Sequence, residues 1–169
     1  MKERLAQTIQ ATNTFKELAQ LQENGRLRGL LTAELQAAID GRSGELGRRL
    51  VREQTGLKVD DLSPAEEKII RAVSEYVGIK KRQGRYASRT LLQLKNRGLL
   101  GAAEAAVSKT KPTQGFTALA DANLEELSYE RIVVDHPDEF SARAVWYSRR
   151  TLGLPNDTGK PPANSIAKG

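Results

Sequence analysis

Apolar residues recur at intervals of three and four positions along most of this chain, and this spacing strongly limits its possible folds. Near the N-terminus the pattern runs through Leu5, Ile9, Thr12, Phe15 and Ala19. Such spacing places the side chains on one side of an α-helix. Comparable patterns follow at 26–39, 46–56, 64–77, 85–97, 99–108 and 141–153. The sequence therefore predicts an all-α, multi-helix single domain.

Several local signals indicate where the helices begin and end. Ser63 and Glu66 form the pattern of a capping box, in which each side chain binds a backbone N–H of the other residue. Gly25, Gly41 and Gly78 each follow an apolar stripe, and glycine tolerates the left-handed conformation that ends many helices. We therefore expect helices to end at these three glycines.

The predicted helices divide the chain into four parts. Residues 1–60 form an N-terminal helical portion, and the apolar stripe of its first helix (2–23) is suited to internal packing or to pairing with a second copy of the chain. Residues 62–111 form a helix–turn–helix-like unit. Residues 112–154 form a C-terminal helical cap. We expect residues 155–169, rich in Pro, Asn, Gly and Lys, to be disordered.

The β-branched run at 132–134 leaves the structure of residues 124–135 less clear. Such residues favour strands, but the chain offers no obvious partner strand. We therefore expect a helix here, ending before Pro137 because the residue preceding proline avoids the helical conformation.

The chain has no cysteine and one histidine. A thiol nucleophile and a disulfide framework are therefore excluded, and a Cys/His zinc site is very improbable. His136 is flanked by acids at 135, 138 and 139, the single place where an imidazole and carboxylates cluster. A histidine before proline at a helix end is more often structural than catalytic, and the chain has no GxxxxGK[ST] phosphate loop. We expect a non-enzymatic protein with no cofactor and no metal.

No apolar run approaches the roughly 18 residues that a membrane span needs. The N-terminal residues also lack the apolar stretch of a signal peptide. The expectation is a cytoplasmic protein with no membrane partner.

The net charge of +6 hides a strong segregation of charge along the chain. Residues 78–111 carry nine basic residues against one acid, a net of +8, whereas residues 121–140 carry seven acids against one arginine, a net of −6. A segregated positive charge attracts a polyanion. The acidic segment 121–139 is a candidate site for a protein partner, or for covering the basic surface when nucleic acid is absent.

The predicted helix 85–97 carries a polar stripe formed by Arg85, Arg89, Gln93 and Asn96. These side-chain types form paired hydrogen bonds with base edges in a major groove, arginine with guanine and Asn or Gln with adenine. The apolar residues Ala87, Leu91 and Leu94 lie on the opposite side. The predicted contacts with nucleic acid are Lys80, Lys81, Arg82, Arg85, Ser88, Arg89, Gln93, Lys95, Asn96 and Arg97.

This pattern favours a DNA-binding regulator that inserts helix 85–97 into a groove, and an RNA ligand remains open. A different class of function is a protein-interaction subunit or inhibitor that docks its basic surface on an acidic partner. An exposed polar helix that serves only solubility is the third interpretation. The predicted connector, residues 78–84, is longer than the three or four residues of a strict helix–turn–helix.

Overall fold

The computed structural model of the chain describes residues 2–82, 84–109, 111, 114–121 and 125–163. Every regular element in these residues is helical, which confirms the all-α prediction. The helices are α1 (Lys2–Ala11), α2 (Phe15–Leu27), α3 (Ala33–Thr55), α4 (Pro64–Arg82), α5 (Ser88–Val107), α6 (Gln114–Asp121), α7 (Tyr129–Asp135) and α8 (Ala142–Thr151). Short 3-10 turns at Glu125–Leu127 and Pro137–Glu139 precede α7 and α8.

Helix α4 lies at the centre of the fold and packs most extensively on α3. The two helices approach so closely that a methyl group on Gly47 would overlap Ser74. One side of α4 is almost completely removed from solvent, through Ala65, Ile69, Ile70, Ala72, Val73 and Val77. This main core also receives buried residues from α5 and α7. The predicted capping box begins α4: the Ser63 N–H donates to Glu66 Oε2 over 2.8 Å, and the Glu66 N–H donates to Ser63 Oγ over 3.2 Å.

The predicted single helix 2–23 is wrong, because the chain breaks between α1 and α2. Thr14 caps α2 by accepting from the Glu17 N–H. Arg42 donates to the Thr12 carbonyl oxygen over 2.8 Å, and Arg49 donates to that of Asn13 over 3.1 Å. These two arginines bind carbonyl groups that a continuous helix would have paired internally.

The apolar stripe of this region packs within the chain. Ile9 is fully buried, and it lies in a second core cluster with Leu18, Leu35, Ile39 and Leu46. Leu5 and Phe15 are partly buried against the same cluster. Self-association through helix 2–23 stays a prediction, and most of the stripe on which it rested is occupied by α3.

The predicted helix ends at Gly25, Gly41 and Gly78 are also wrong. Each glycine lies inside a helix. The helix predicted at 26–39 is divided between the end of α2 and α3, and α3 also continues through the helix predicted at 46–56 as far as Thr55. A Cβ at Gly78 would make only an ordinary contact, 3.7 Å from Phe15 Cδ1 on α2, so the helix continues there without a close approach that demands glycine. In sequence, a glycine inside a helix cannot be told from a glycine that ends one.

The C-terminal region folds around α4 and α5. Ile132 and Val133 lie in α7, so the β-branched run is helical as expected. Ser141 caps α8 by accepting from the Ala144 N–H over 3.1 Å. Glu139 accepts from the Ala65 N–H over 3.1 Å, which places a carboxylate at the N-terminus of α4.

Residues 155–163 lie along α8 rather than extending loosely as we expected. Trp146 Nε1 donates to the Thr158 carbonyl oxygen over 2.8 Å, and Asn156 Nδ2 donates to that of Trp146 over 3.1 Å. Arg143 binds the Pro162 carbonyl oxygen over 3.0 Å. Side chains of α8 therefore bind backbone groups that this Pro-rich segment does not pair internally. Residues 164–169, the rest of the expected disordered tail, lie outside the described residues.

Candidate nucleic-acid interface

A short connector leads from α4 to α5, and its described residues, 84–87, are held in a defined conformation. The Arg85 N–H donates to the Lys80 carbonyl oxygen over 2.8 Å, and the Gly84 N–H donates to that of Lys81 over 3.0 Å. This pair of bonds is a Schellman motif, and Gly84 supplies its left-handed residue with φ +67°. Ala87, only 8% exposed, anchors the other end of the connector in the core. The connector is thus shorter than predicted, because α4 continues past Gly78 to Arg82.

Helix α5 begins at Ser88, so Arg85 lies in the connector and not in the predicted helix 85–97. Its N-cap position is Ala87, which has no side chain able to accept a hydrogen bond from the first turn. The residues of that turn, all of them described, include no acid. The N–H groups at a helix start carry partial positive charge and favour an anion. Exposed Arg85 and Arg89 flank this start and add full positive charges.

The first half of α5 has one buried side and one exposed side. Leu94 is fully buried and Leu91 is partly buried against the main core. Arg89, Gln93 and Asn96 are exposed. Ser88, Lys95 and Arg97 are exposed as well. The structure therefore brings six of the predicted contact residues onto the solvent side of a single helix.

The remaining predicted contact residues lie at the end of α4 and in the connector. Lys80 is half-buried, with its Nζ 5.4 Å from the centre of the Tyr76 ring, whereas Lys81 is exposed. The side chain of Arg82 lies outside the described residues. Among ion pairs between described residues, none involves Arg85 or Arg89. The positive charge of these arginines is therefore not neutralised by a described acid.

A kink at Gly98 ends the exposed half of α5. Gly98 has φ +74° and ψ 177°, a backbone conformation open essentially to glycine alone. Just before it, Arg97 Nε donates to Gln93 Oε1 over 3.0 Å. Beyond the kink, Leu99 and Ala103 point into the core. The exposed half spans Ser88 to Arg97, about 15 Å of helix at 1.5 Å per residue.

Two exposed apolar side chains in this region were not predicted as contacts. Tyr86 in the connector is 76% exposed, and Leu92 on α5 is 54% exposed. Helical periodicity could have predicted the exposure of Leu92, since a residue next to inward-facing Leu91 points about 100° away from it. For Tyr86 no periodic pattern applies, because it lies outside a helix.

A groove of about 960 Å³ opens beside the connector. Phe15, Leu31 and Leu50 contribute to its lining, and so do the basic residues Arg49 and Lys81. The groove therefore links the basic connector to the surface of α2 and α3. Sequence reasoning had no means to find it, since its lining comes from widely separated parts of the chain.

The described part of the acidic segment 121–139 packs on the other half of α5. Val133 of α7 joins Val107 of α5 and Ala144 of α8 in a small core cluster. Glu130 is 2% exposed, and burial raises its pKa to about 7 although a hydrogen bond with its own backbone acts in the opposite direction. Asp135 lies 3.1 Å from Arg131 and 4.0 Å from Lys68. The stripe of Arg89, Gln93 and Asn96 remains uncovered.

In the cluster around His136, the Glu139 carboxylate lies between the imidazole and the start of α4. His136 Nδ1 lies 3.9 Å from Glu139 Oε2, the same oxygen that accepts from the Ala65 N–H. His136 Nε2 is buried and has no hydrogen-bond partner among the described residues. The described residues also contain no group of three or more His, Cys, Asp or Glu side chains placed to hold a metal ion.

Comparisons of this chain with protein-family models, with characterised proteins and with solved structures find no match. In the part of the chain that the structure describes, no helix combines the length and the apolar character needed to cross a bilayer. The surface formed by the connector and the exposed half of α5 is therefore the basis on which a function can be inferred.

Proposed function

We propose that this protein is a non-enzymatic nucleic-acid-binding protein, a DNA-binding regulator that uses the exposed half of α5 and the basic residues Lys81 and Arg85 beside its start. One observation carries the proposal. Arg89, Gln93 and Asn96 project to solvent from a helix whose other side is fixed in the core by Leu94. A rigid helix with base-reading side chains on its open face has the form required for groove recognition.

In this mechanism the exposed half of α5 enters the major groove. Arg89 donates two hydrogen bonds to a guanine, and Gln93 and Asn96 pair with adenines. Gln93 already accepts from Arg97, so binding a base requires it to exchange that intrahelical bond. Specificity then comes from these three side chains.

Phosphate contacts position the helix in the groove. The exposed basic residues Lys81, Arg85 and Lys95 lie at the end of α4, in the connector and beside the reading stripe, respectively. The uncapped first turn of α5 adds backbone N–H donors of the kind that bind phosphate. Each phosphate neutralised releases counterions, so affinity should fall steeply as salt rises, with a slope of about −0.9 per contact on logarithmic axes.

The test is a salt titration of binding to a pool of labelled DNA duplexes. Arg89→Ala should lower discrimination between sequences, because a paired Arg–guanine contact contributes about 1–3 kcal/mol. Lys95→Ala should instead weaken binding to all sequences equally and reduce the salt slope by about 1. Lys58→Ala, at an exposed lysine outside this surface, is the matched control. No duplex binding at low salt, or an equal effect of Lys58→Ala and Lys95→Ala, would contradict the proposal.

A second candidate function is docking on an acidic protein partner. The exposed Tyr86 and Leu92 favour it, since aromatic residues and arginine are enriched in protein interfaces. In that case Leu92→Ala should weaken partner binding, whereas duplex DNA should not compete for the surface. A partner at the acidic segment 121–139 stays a separate prediction.

A further inference from the structure

Tyr86 occupies an unusual place for an aromatic side chain. Among the described residues, the large apolar side chains with high exposure are Leu27, Leu30, Tyr86 and Leu92. Tyr86 is the aromatic one, and 76% of its surface is open to solvent. An exposed ring gains almost nothing from the hydrophobic effect. Its position is therefore not explained by packing.

The backbone on both sides of Tyr86 is fixed. The Schellman bond between Arg85 and Lys80 holds the preceding residue, and buried Ala87 holds the following one. The ring is thus presented from a defined point, one residue before the cap of α5. Because the backbone is held, a contact made by the ring fixes only its two side-chain torsions.

Two basic residues lie near the ring of Tyr86. Lys81 Nζ lies 4.7 Å from the ring centre, and Arg85 is exposed next to it in the chain. One ammonium group beside a ring whose surface is mostly open leaves room for a second flat group to stack. Proteins that bind unpaired bases combine these features: an exposed aromatic ring for the base and cations for the flanking phosphates.

We propose that the nucleic acid bound by this protein carries an unpaired base next to a duplex, and that Tyr86 stacks on that base. This inference rests on the proposed function, since the adjacent duplex would occupy the exposed half of α5. A base inside a continuous duplex is already stacked on its neighbours, so it cannot also cover Tyr86. At a strand end or in a single-stranded overhang, a base has an uncovered face. Such a base would lie at the edge of the major groove, next to the start of α5.

Three labelled DNA probes of one sequence test this inference: a blunt duplex, the same duplex with a single-stranded overhang at either end, and the isolated strand. The wild-type protein should bind the overhang probe about tenfold more tightly than the blunt duplex, within the range of base–aromatic stacking. Tyr86→Ala should remove this preference and leave blunt-duplex affinity nearly unchanged. Tyr86→Phe should keep it, since the ring remains. Leu92→Ala is the matched control, because it removes a second exposed apolar side chain from the same surface.

A fluorescent adenine analogue in the overhang gives an independent reading of stacking. Its emission should change on binding the wild-type protein and Tyr86→Phe, but not on binding Tyr86→Ala. Equal affinity of wild type and Tyr86→Ala for the overhang probe, with binding retained, would overturn this inference and leave the proposed function standing. Absence of salt-dependent binding to all probes would overturn both. Circular dichroism of each variant verifies that it is folded.

Discussion

The two halves of α5 meet at the non-helical residue Gly98 and have opposite surroundings. From Ser88 to Arg97 the helix exposes its polar side, with Leu94 as its fully buried anchor. From Leu99 to Val107 it is rich in alanine and packs against α7 and α8. The change of direction at Gly98 separates them.

The difference indicates which half is free for a partner. In the second half even the charged residue serves the fold, since Glu104 Oε2 accepts from the Ser141 N–H over 3.3 Å. In the first half, Arg89 and Lys95 form no ion pair with a described residue. Substitutions on the exposed side should therefore change binding with little effect on stability, and substitutions on the buried side should do the reverse.

Two leucines of the first half give the largest expected difference in stability between the buried and the exposed side. Leu94→Ala should lower the free energy of unfolding by about 2–5 kcal/mol, because it leaves a cavity in the main core. Leu92→Ala, at a side chain 54% exposed, should change it by less than about 0.5 kcal/mol. Urea denaturation followed by circular dichroism measures both. A similar decrease in the free energy of unfolding for the two variants would show that the exposed side also packs against the rest of the protein.

A second test concerns the buried side and uses pH. In the folded state burial raises the pKa of Glu130 to about 7, from an ordinary value of 4.5. The folded protein therefore holds a proton that the unfolded chain releases between these values, so stability should fall as pH rises from 4.5 to 7. The loss is at most about 3.5 kcal/mol, at about 1.4 kcal/mol per pKa unit.

Glu130→Gln should remove this loss and make the protein more stable than wild type above pH 7. Unfolding by urea at several pH values measures the slope. Glu126→Gln, at an exposed neighbouring acid, controls for the removal of a negative charge. An unchanged slope in Glu130→Gln would mean that this carboxylate does not govern the pH dependence.

The smallest expected effect concerns the boundary between the halves. Gly98→Ala places a side chain at φ +74° and should destabilise the protein by about 1–3 kcal/mol. Gly41→Ala is the matched control, since Gly41 lies inside α3 without a positive φ, a Cβ there would meet nothing within 4 Å, and alanine favours helix. Thermal unfolding compares the two variants. If Gly98→Ala were no more destabilising than Gly41→Ala, the kink would not be a fixed boundary.

Local signals in the sequence predicted helix starts better than helix ends. The Ser63–Glu66 capping box and the Ser141 cap are local hydrogen-bond patterns, and both are present. The pattern Thr14-x-x-Glu17 is of the same kind, but the longer apolar stripe concealed it. The break there also depends on Arg42, which lies far away in the sequence.

Helix ends were harder because glycine serves two purposes. Gly84 has a positive φ and follows the end of α4, whereas Gly47 lies inside α3 where a Cβ would overlap Ser74 of α4. Only this tertiary contact distinguishes the two cases.

The exposed stripe of α5 could be inferred from helical periodicity, because Leu91 and Leu94 identify the inward side. The first turn could not, since Arg85 fits the same spacing but lies before the helix. Neither the exposure of Tyr86 nor the groove follows from a periodic pattern. The groove depends on residues of α2, α3 and α4 that the fold brings together, and the exposure of Tyr86 depends on the path of the connector.

The contact between the C-terminal segment and α8 makes the intrinsic fluorescence of the protein sensitive to the position of that segment. The protein has one tryptophan, Trp146, whose indole N–H binds the Thr158 carbonyl oxygen. The Arg150 guanidinium lies 5.8 Å from its ring centre. Indole emission shifts in wavelength with solvent contact, so the intrinsic fluorescence reports whether residues 155–163 remain on α8. Ligands that engage α5 alone should leave this signal unchanged, whereas release of the tail should shift it to the red.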